Sequence, residues 1–461
     1  MLLHLLPILL LPYLTGCSDP APEPPAETVA TPKVILLAID GLDTWMVDWL
    51  AKEDPDSALV KLAQRGLYTQ IQSIEPLISP AIWTTVASGK MPEEHGVHDW
   101  VVEENGRKRV VTSDDVEVIR FWEILGQRNV KTALIGWLAS GPVGPTRGLT
   151  LSTLVTWADW LGELARGDDF PMGAKNAATD RIMQPSEHLE WVLELTPRTE
   201  DFLEHSLAYQ MTDTQLDIHP WARDEYTMRL AKRALTEVEP DLLVAYFKGV
   251  DEMCHLFLQF LNEDFRAGLT KYPGAWSDIS EMRKQMGLPW PGKAMTPERM
   301  AIGQRIVTDY LLWLDGELKT LLAKAGGNPD VIVVSDHGFT VRLPKAAEVQ
   351  QNHTGALGQY SPDHTMQATL ILAGPTFDPD AKLTNPNLID MTPTLLHLLG
   401  QPVARDMKGR VLFEAWKEPT KVEMVPSYGA RPEVTLPKGP KMLDIDDSKE
   451  LNRLRTLGYV E

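Results

Sequence analysis

Short runs of uninterrupted apolar residues recur along the chain, at Val34–Ile39, 132–137, Leu242–Phe247, 331–334 and 369–372, and they constrain the fold more than any other feature. A strand with one wet face alternates apolar and polar side chains. A run that is apolar throughout needs cover on both faces, as in a parallel sheet sandwiched between helices. Helical patterns lie between the runs, over residues 116–127, 224–238, 297–325 and 391–399. Strands alternating with helices predict an α/β sandwich with a mostly parallel central sheet. The 461 residues, 43% hydrophobic and 23% charged, suffice for one large soluble domain with insertions.

Two stretches break the rhythm, residues 149–220 and 260–296, both rich in Trp, Pro, Met and charge. Open α/β sheets bind ligands beyond the carboxyl ends of their strands, so these stretches are expected to cap that edge. Surface elaboration away from the site is the alternative reading. In these stretches and at their border, Trp157, Trp160, Trp191 and Trp221 are the candidates for leaving-group selectivity.

The chain opens with an apolar segment from Leu2 to Leu14, followed by Thr15, Gly16 and Cys17. It is too short for an ordinary transmembrane helix. It resembles a bacterial lipoprotein signal cleaved before Cys17, which leaves that cysteine to be lipidated, although only His4 stands where positive residues are usual. An uncleaved anchor followed by a chance cysteine is the other reading. Residues 1–16 are therefore read as a signal peptide, 17–32 as a lipidated cysteine with a Pro-, Ala- and Glu-rich tether, and 33–461 as the folded domain. That places the domain at a bacterial cell envelope, facing the periplasm or the exterior. With Cys17 lipidated, Cys254 has no second cysteine for an intramolecular disulfide. The formal charge of −20, from 44 basic and 64 acidic residues, argues against general binding to duplex nucleic acid or to anionic membrane. Solubility accounts for an acidic surface, and so does charge partly offset by bound cations.

Several residues at strand ends carry chemistry. Asp40 and Gly41 follow the first apolar run, as a turn or as a ligand-bearing strand end. Asp336 and His337 follow the run at 331–334 and pair a hard carboxylate with a borderline imidazole, a mix that suits zinc or a similar transition metal. Asp251 and His255 stand four apart after Leu242–Phe247, so on a helical turn they share one face and can hold one ion. His364 precedes the run at 369–372, with His353 as its rival. Ser79 precedes Pro80, which suits the first turn of a helix, so its hydroxyl is placed either as a simple N-cap or as a nucleophile at a helix N-terminus that can hold a phosphate oxygen. A serine needs activation at neutral pH, and a metal that stabilises its alkoxide supplies it.

In order, these segments resemble the alkaline phosphatase superfamily, in particular its type I phosphodiesterase and nucleotide pyrophosphatase branch with the bacterial phosphohydrolase relatives. The resemblance runs through Asp40-Gly41, Ser79 to Thr85, Gly89 to Gly96, Asp251 with His255, Asp336-His337-Gly338, His364 ten residues before Gly374-Pro375, and Ile389 to Gly400. It implies a three-layer sandwich of the alkaline phosphatase type. It also implies one metal held by Asp251, His255 and His364, and a second held by Asp40, Asp336 and His337 beside the nucleophile Ser79. His364 rather than His353 keeps the family's spacing. His95 and His98 fall outside the ligand set, and His95 reads as structural. The implied cofactors are two divalent ions, zinc foremost, and the implied substrate is a small phosphate mono- or diester cleaved through a phosphoseryl intermediate. Many nucleotide pyrophosphatase relatives carry an Asn three residues after the nucleophile, where this chain has Ile82. Lys90 and Lys248 are the candidates to hold the phosphate instead. The Cys-x-Pro-x-Arg pattern of the sulfatase relatives is absent. A phosphotransferase or mutase on the same fold, or a non-catalytic metal-stabilised envelope protein, are the competing functions.

Overall fold

The structure, a computed structural model, describes residues 32–156, 182–197, 219–271, 296–343 and 361–431, apart from 105, 145 and 419, together with 451, 454 and 455. The signal segment, Cys17, Trp157, Trp160, His353 and much of both expected caps lie outside the described residues.

The strands up to residue 373 are β1 (Val34–Ile39), β2 (Leu67–Gln72), β3 (Val101–Glu104), β4 (Arg107–Val110), β5 (Thr132–Ile135), β6 (Gly148–Leu151), β7 (Met183–Gln184), β8 (Leu242–Phe247), β9 (Asp330–Val334), β10 (Gly338–Arg342), β11 (Ser361–Thr365) and β12 (Gln367–Ala373). Eight of them form one sheet in the order β2-β12-β9-β1-β8-β5-β6-β7. The central strands β9, β1, β8, β5 and β6 are parallel, while β12 runs antiparallel to β9 and β2, and β7 to β6. β3 pairs with β4, and β10 with β11, outside this sheet. The mostly parallel α/β sandwich read from the apolar runs is what the chain forms.

Strand geometry divides the core in two. Side chains alternate across a strand, so Ile35, Leu37 and Ile39 of β1 join one apolar cluster, and Val34, Leu36 and Ala38 join the other. The first cluster is closed by the helices Thr44–Glu53, Ala58–Arg65, His219–Glu237 and Pro297–Ala325, and the second by Ser79–Ser88, Phe121–Gln127 and Met391–Leu398. Helix Pro297–Ala325 has the bounds its sequence predicts. The Thr296 hydroxyl accepts the Arg299 amide, Pro297 sits in the first turn, and Gly326 leaves the helix at φ 62°. Among the described residues no helix is long and apolar enough to cross a membrane.

Three expectations are corrected. The helix expected over residues 116–127 begins only at Phe121, because the Arg120 guanidinium turns inward to Glu123, the Ala139 carbonyl and Ser113. The stretch assigned to a cap from residue 149 contributes β6 and β7 to the central sheet itself. The second expected cap begins with Leu258–Leu261 and Glu263–Lys271, which bury Phe260, Phe265 and Leu269 in the first cluster. Of the tryptophans considered for selectivity, Trp191 is buried in that cluster and Trp221 packs edge-on against Tyr310.

Candidate active site

The parallel register gathers the chemistry. β1 lies between β8 and β9, with Ile39 opposite Phe247 and Ala38 opposite Val334. Asp40, Asp336 and the helix Gly249–Phe257 that carries Asp251 and His255 therefore leave the sheet side by side at its carboxyl edge. β12 runs the other way, so its entry point, and His364 in β11 just before it, lies at this same edge. Helix Gly249–Phe257 has no side-chain cap of its own at Lys248. Asp224, from helix His219–Glu237, accepts the Lys248 and Gly249 amides at 3.2 and 3.0 Å and the Tyr310 hydroxyl at 2.6 Å. A Cβ on Gly249 would meet the Tyr310 oxygen at 1.9 Å, so only glycine fits there.

The six predicted ligands converge, and Ser79 joins them. Asp251, His255 and His364 form one cluster that can hold a cation, and Asp40, Asp251 and His337 form another. Asp251 Oδ1 lies 3.2 Å from His255 Nε2, 3.5 Å from His364 Nε2 and 3.6 Å from His337 Nε2. His337 Nε2 is also 3.4 Å from Asp40 Oδ1 and 3.4 Å from Asp336 Oδ2. Asp251 thus stands between the two clusters, where the resemblance placed it in one. Asp40, Asp251, Asp336, His337 and Ser79 are fully buried, while His255 and His364 are partly exposed and mark the open side.

Imidazole orientation favours metal binding. His364 Nδ1 lies 3.1 Å from the Leu77 carbonyl and His337 Nδ1 3.2 Å from the Gly338 carbonyl. A carbonyl only accepts, so each Nδ1 donates to it, and each ring is held with its Nε2 turned toward the site. The two rings stack at 3.6 Å. Neither His337 Nε2 nor Asp336 Oδ2 has a hydrogen-bond partner among the described residues, although both are buried. Buried polar atoms left in this way cost free energy unless something else binds them.

Charge in the site points the same way. Burial, then repulsion from Asp40 and Asp251, pushes the Asp336 carboxyl well above its ordinary range. Burial acts in that direction on Asp251 too, but the His255 charge, hydrogen bonds from His255 and His364, and the Lys248 ammonium outweigh it and hold that carboxyl well below. Burial lowers His255 against the pull of Asp251. Three buried carboxylates ringed by imidazole Nε2 atoms fit divalent cations of the zinc type, since compact positive charge relieves the repulsion.

Ser79 is not spent as an N-cap. Helix Ser79–Ser88 begins at Ser79 itself, its N-cap is Ile78, and the cap makes no side-chain hydrogen bond. The Ser79 hydroxyl instead donates to Asp40 Oδ1 at 3.4 Å. Ile82 is fully buried in the second apolar cluster and offers nothing polar. Of the two candidate lysines, Lys90 turns to Glu94 and Asp406. Lys248 follows β8 directly, is buried, and holds its ammonium 3.7 Å from the centre of the Trp100 ring.

His95 lies outside the cluster and is structural. Its Nδ1 accepts the Val97 amide at 3.2 Å, and its Nε2 stands 3.0 Å from Thr85 Oγ1. Burial, aided by His98, lowers its pKa from 6.5 to about 4. The native ring then binds a proton less readily than the unfolded one, so this residue's share of stability is present above pH 6.5 and is lost as pH falls toward 4. The loss amounts to about 3 kcal/mol for a shift of this size. The His95→Gln variant is expected to lack this acid-side slope. Melting temperatures of parent and variant between those limits check it, and parallel slopes would refute it.

Sequence patterns overlooked Trp83 and Tyr246, which both donate to Asp40 Oδ2, at 3.0 and 2.5 Å. The signal was present: Trp83 is one helical turn beyond Ser79, and Tyr246 shares the parity of the strand residues that face that helix.

The family model for type I phosphodiesterase / nucleotide pyrophosphatase matches residues 34–369. Among solved structures, a 2-O GAG sulfatase shares 15% identity over 83% of this chain and 73% of its own, at a TM-score of 0.46. Human ectonucleotide pyrophosphatase / phosphodiesterase 5 shares 13% over 82% and 97%, at 0.42. Phosphonoacetate hydrolase from Sinorhizobium meliloti 1021, in complex with phosphonoformate, shares 16% over 69% and 58%, at 0.38. No curated protein matches the chain in sequence.

Proposed function

The chain belongs to the type I phosphodiesterase / nucleotide pyrophosphatase family, which makes it a hydrolase of phosphoric ester bonds, and from that premise we propose that it cleaves small phosphate mono- or diesters through Ser79 at a two-cation centre. The observation that carries this reading is the convergence of the Ser79 hydroxyl with Asp40, Asp251, Asp336, His255, His337 and His364 at one sheet edge. Asp251, His255 and His364 would hold one cation. Asp40, Asp336 and His337 would hold the other, with Asp251 beside them. Zinc is the ion these donors suit best. Cations bound there supply positive charge that favours an alkoxide nucleophile and offsets the charge of the phosphoryl oxygens.

The protein's own groups do the rest. Asp40 Oδ1 orients the Ser79 oxygen, which bonds to phosphorus as the alcohol leaves. Water then attacks the phosphoserine, releasing phosphate or its monoester and restoring the hydroxyl. The buried Lys248 supplies fixed positive charge for the phosphoryl oxygens in place of a donor at Ile82. The N-terminal segment supports attachment to a bacterial envelope through lipid on Cys17.

The test is hydrolysis of paired aryl phosphate mono- and diesters by the full chain with zinc, after chelation, and after zinc is restored. Turnover that chelation removes and zinc restores is the expected result, and the preferred ester identifies the substrate class. Turnover untouched by chelation would overturn the cation reading. Transfer to an added alcohol in preference to water would make the protein a transferase.

A further inference from the structure

We infer that Trp83 and Tyr246 are positioning residues that set which oxygen of Asp40 the cation and the nucleophile meet. The inference rests on the cation-site reading above and deepens it. Asp40 follows Val34, Leu36 and Ala38 in strand alternation, so its side chain lies on the face covered by helix Ser79–Ser88. Tyr246 of β8 has the same parity and packs in that cluster. Trp83 is four residues beyond Ser79 and so lies on the same side of the helix. Three separate elements thereby bring an indole N–H and a phenol O–H onto a single carboxylate oxygen, Asp40 Oδ2, at 3.0 and 2.5 Å. The other oxygen, Oδ1, is left toward His337 Nε2 at 3.4 Å and the Ser79 hydroxyl at 3.4 Å.

An ionised carboxylate unconstrained about its last torsion can offer either oxygen, or both. Two donors on Oδ2 remove that freedom. The donors are themselves held: Trp83 meets Trp137 at 5.1 Å and Tyr246 at 5.4 Å, both edge to face, and Phe121 meets Trp137 at 5.5 Å. Because Oδ1 also accepts from Ser79, the same aromatic platform aligns ligand and nucleophile together.

The test uses the full chain, stripped by chelator and titrated with cobalt(II) by visible absorption and with zinc against a chromogenic chelator. Tyr246→Phe and Trp83→Phe each remove one donor and keep a ring. Each is expected to bind with unchanged stoichiometry, about 10- to 100-fold more weakly, and with an altered cobalt(II) spectrum. In kinetics, kcat should fall while KM stays close to the parent value. A role in packing alone would lower the melting temperature of the chelated protein and leave affinity and spectrum unmoved, which overturns the inference. If one variant does not fold, the other decides. A parent chain that takes up no cation would overturn the cation-site reading and this inference with it, whereas parental binding that neither variant weakens overturns the inference alone.

Discussion

Ser79→Ala is expected to abolish turnover of phosphoric esters, with a loss of about 10³-fold or more, while cation content and fold are preserved. The asymmetry follows from where the hydroxyl sits. Ser79 begins helix Ser79–Ser88 without capping it, and its hydroxyl makes a long hydrogen bond to Asp40 Oδ1 at 3.4 Å. Alanine is the best helix former and fits the space of serine, so the substitution costs the fold little. In the proposed site six other residues would supply the cation donors. The variant should therefore keep zinc and a melting temperature near that of the parent. The measurement is turnover of aryl phosphates beside metal analysis of the same sample. Activity within tenfold of the parent would remove Ser79 as nucleophile.

Asp251→Asn is expected to fail differently, losing cation and rate together. Asp251 Oδ1 faces His255, His364 and His337 within 3.2 to 3.6 Å, so one oxygen serves both clusters. Asparagine keeps the shape but removes the charge, and its amide can donate where a cation needs an acceptor. Uptake should fall by at least one ion per chain, with turnover about 10²-fold lower or worse. The stabilisation that zinc gives the parent should shrink too, because a ligand that binds only the native state stabilises it in proportion to its affinity. Metal analysis, turnover and the zinc-dependent rise in melting temperature check this together. Full cation content in the variant would remove Asp251 from the site.

Together these variants separate two roles that sequence reading assigns by motif alone. Asp40 could be read as an ordinary turn residue after a strand, and Ser79 as a helix cap. The structure brings them to one edge, and the Ser79 cap reading fails on local geometry, since Ile78 is the cap residue. His353 lies outside the described residues, while His364 stands at the cluster with its Nδ1 turned to the Leu77 carbonyl.

Sequence alone determined where the central strands run, because a segment apolar at every position has to be covered on both faces, as Val34–Ile39 and Leu242–Phe247 are. It also determined helix Pro297–Ala325, whose periodicity, cap and terminal glycine agree, and the residue types able to bind a cation. Only the tertiary structure decided who meets whom. The Gly41 amide reaches Asp336 Oδ1 at 3.1 Å across 295 residues, because β1 lies beside β9, and no local pattern encodes strand order. The same order places Asp251 between two clusters and turns β12 round so that His364 arrives at the carboxyl edge. Burial periodicity is a property of neighbours along the chain, whereas a site made of strand ends is a property of the sheet.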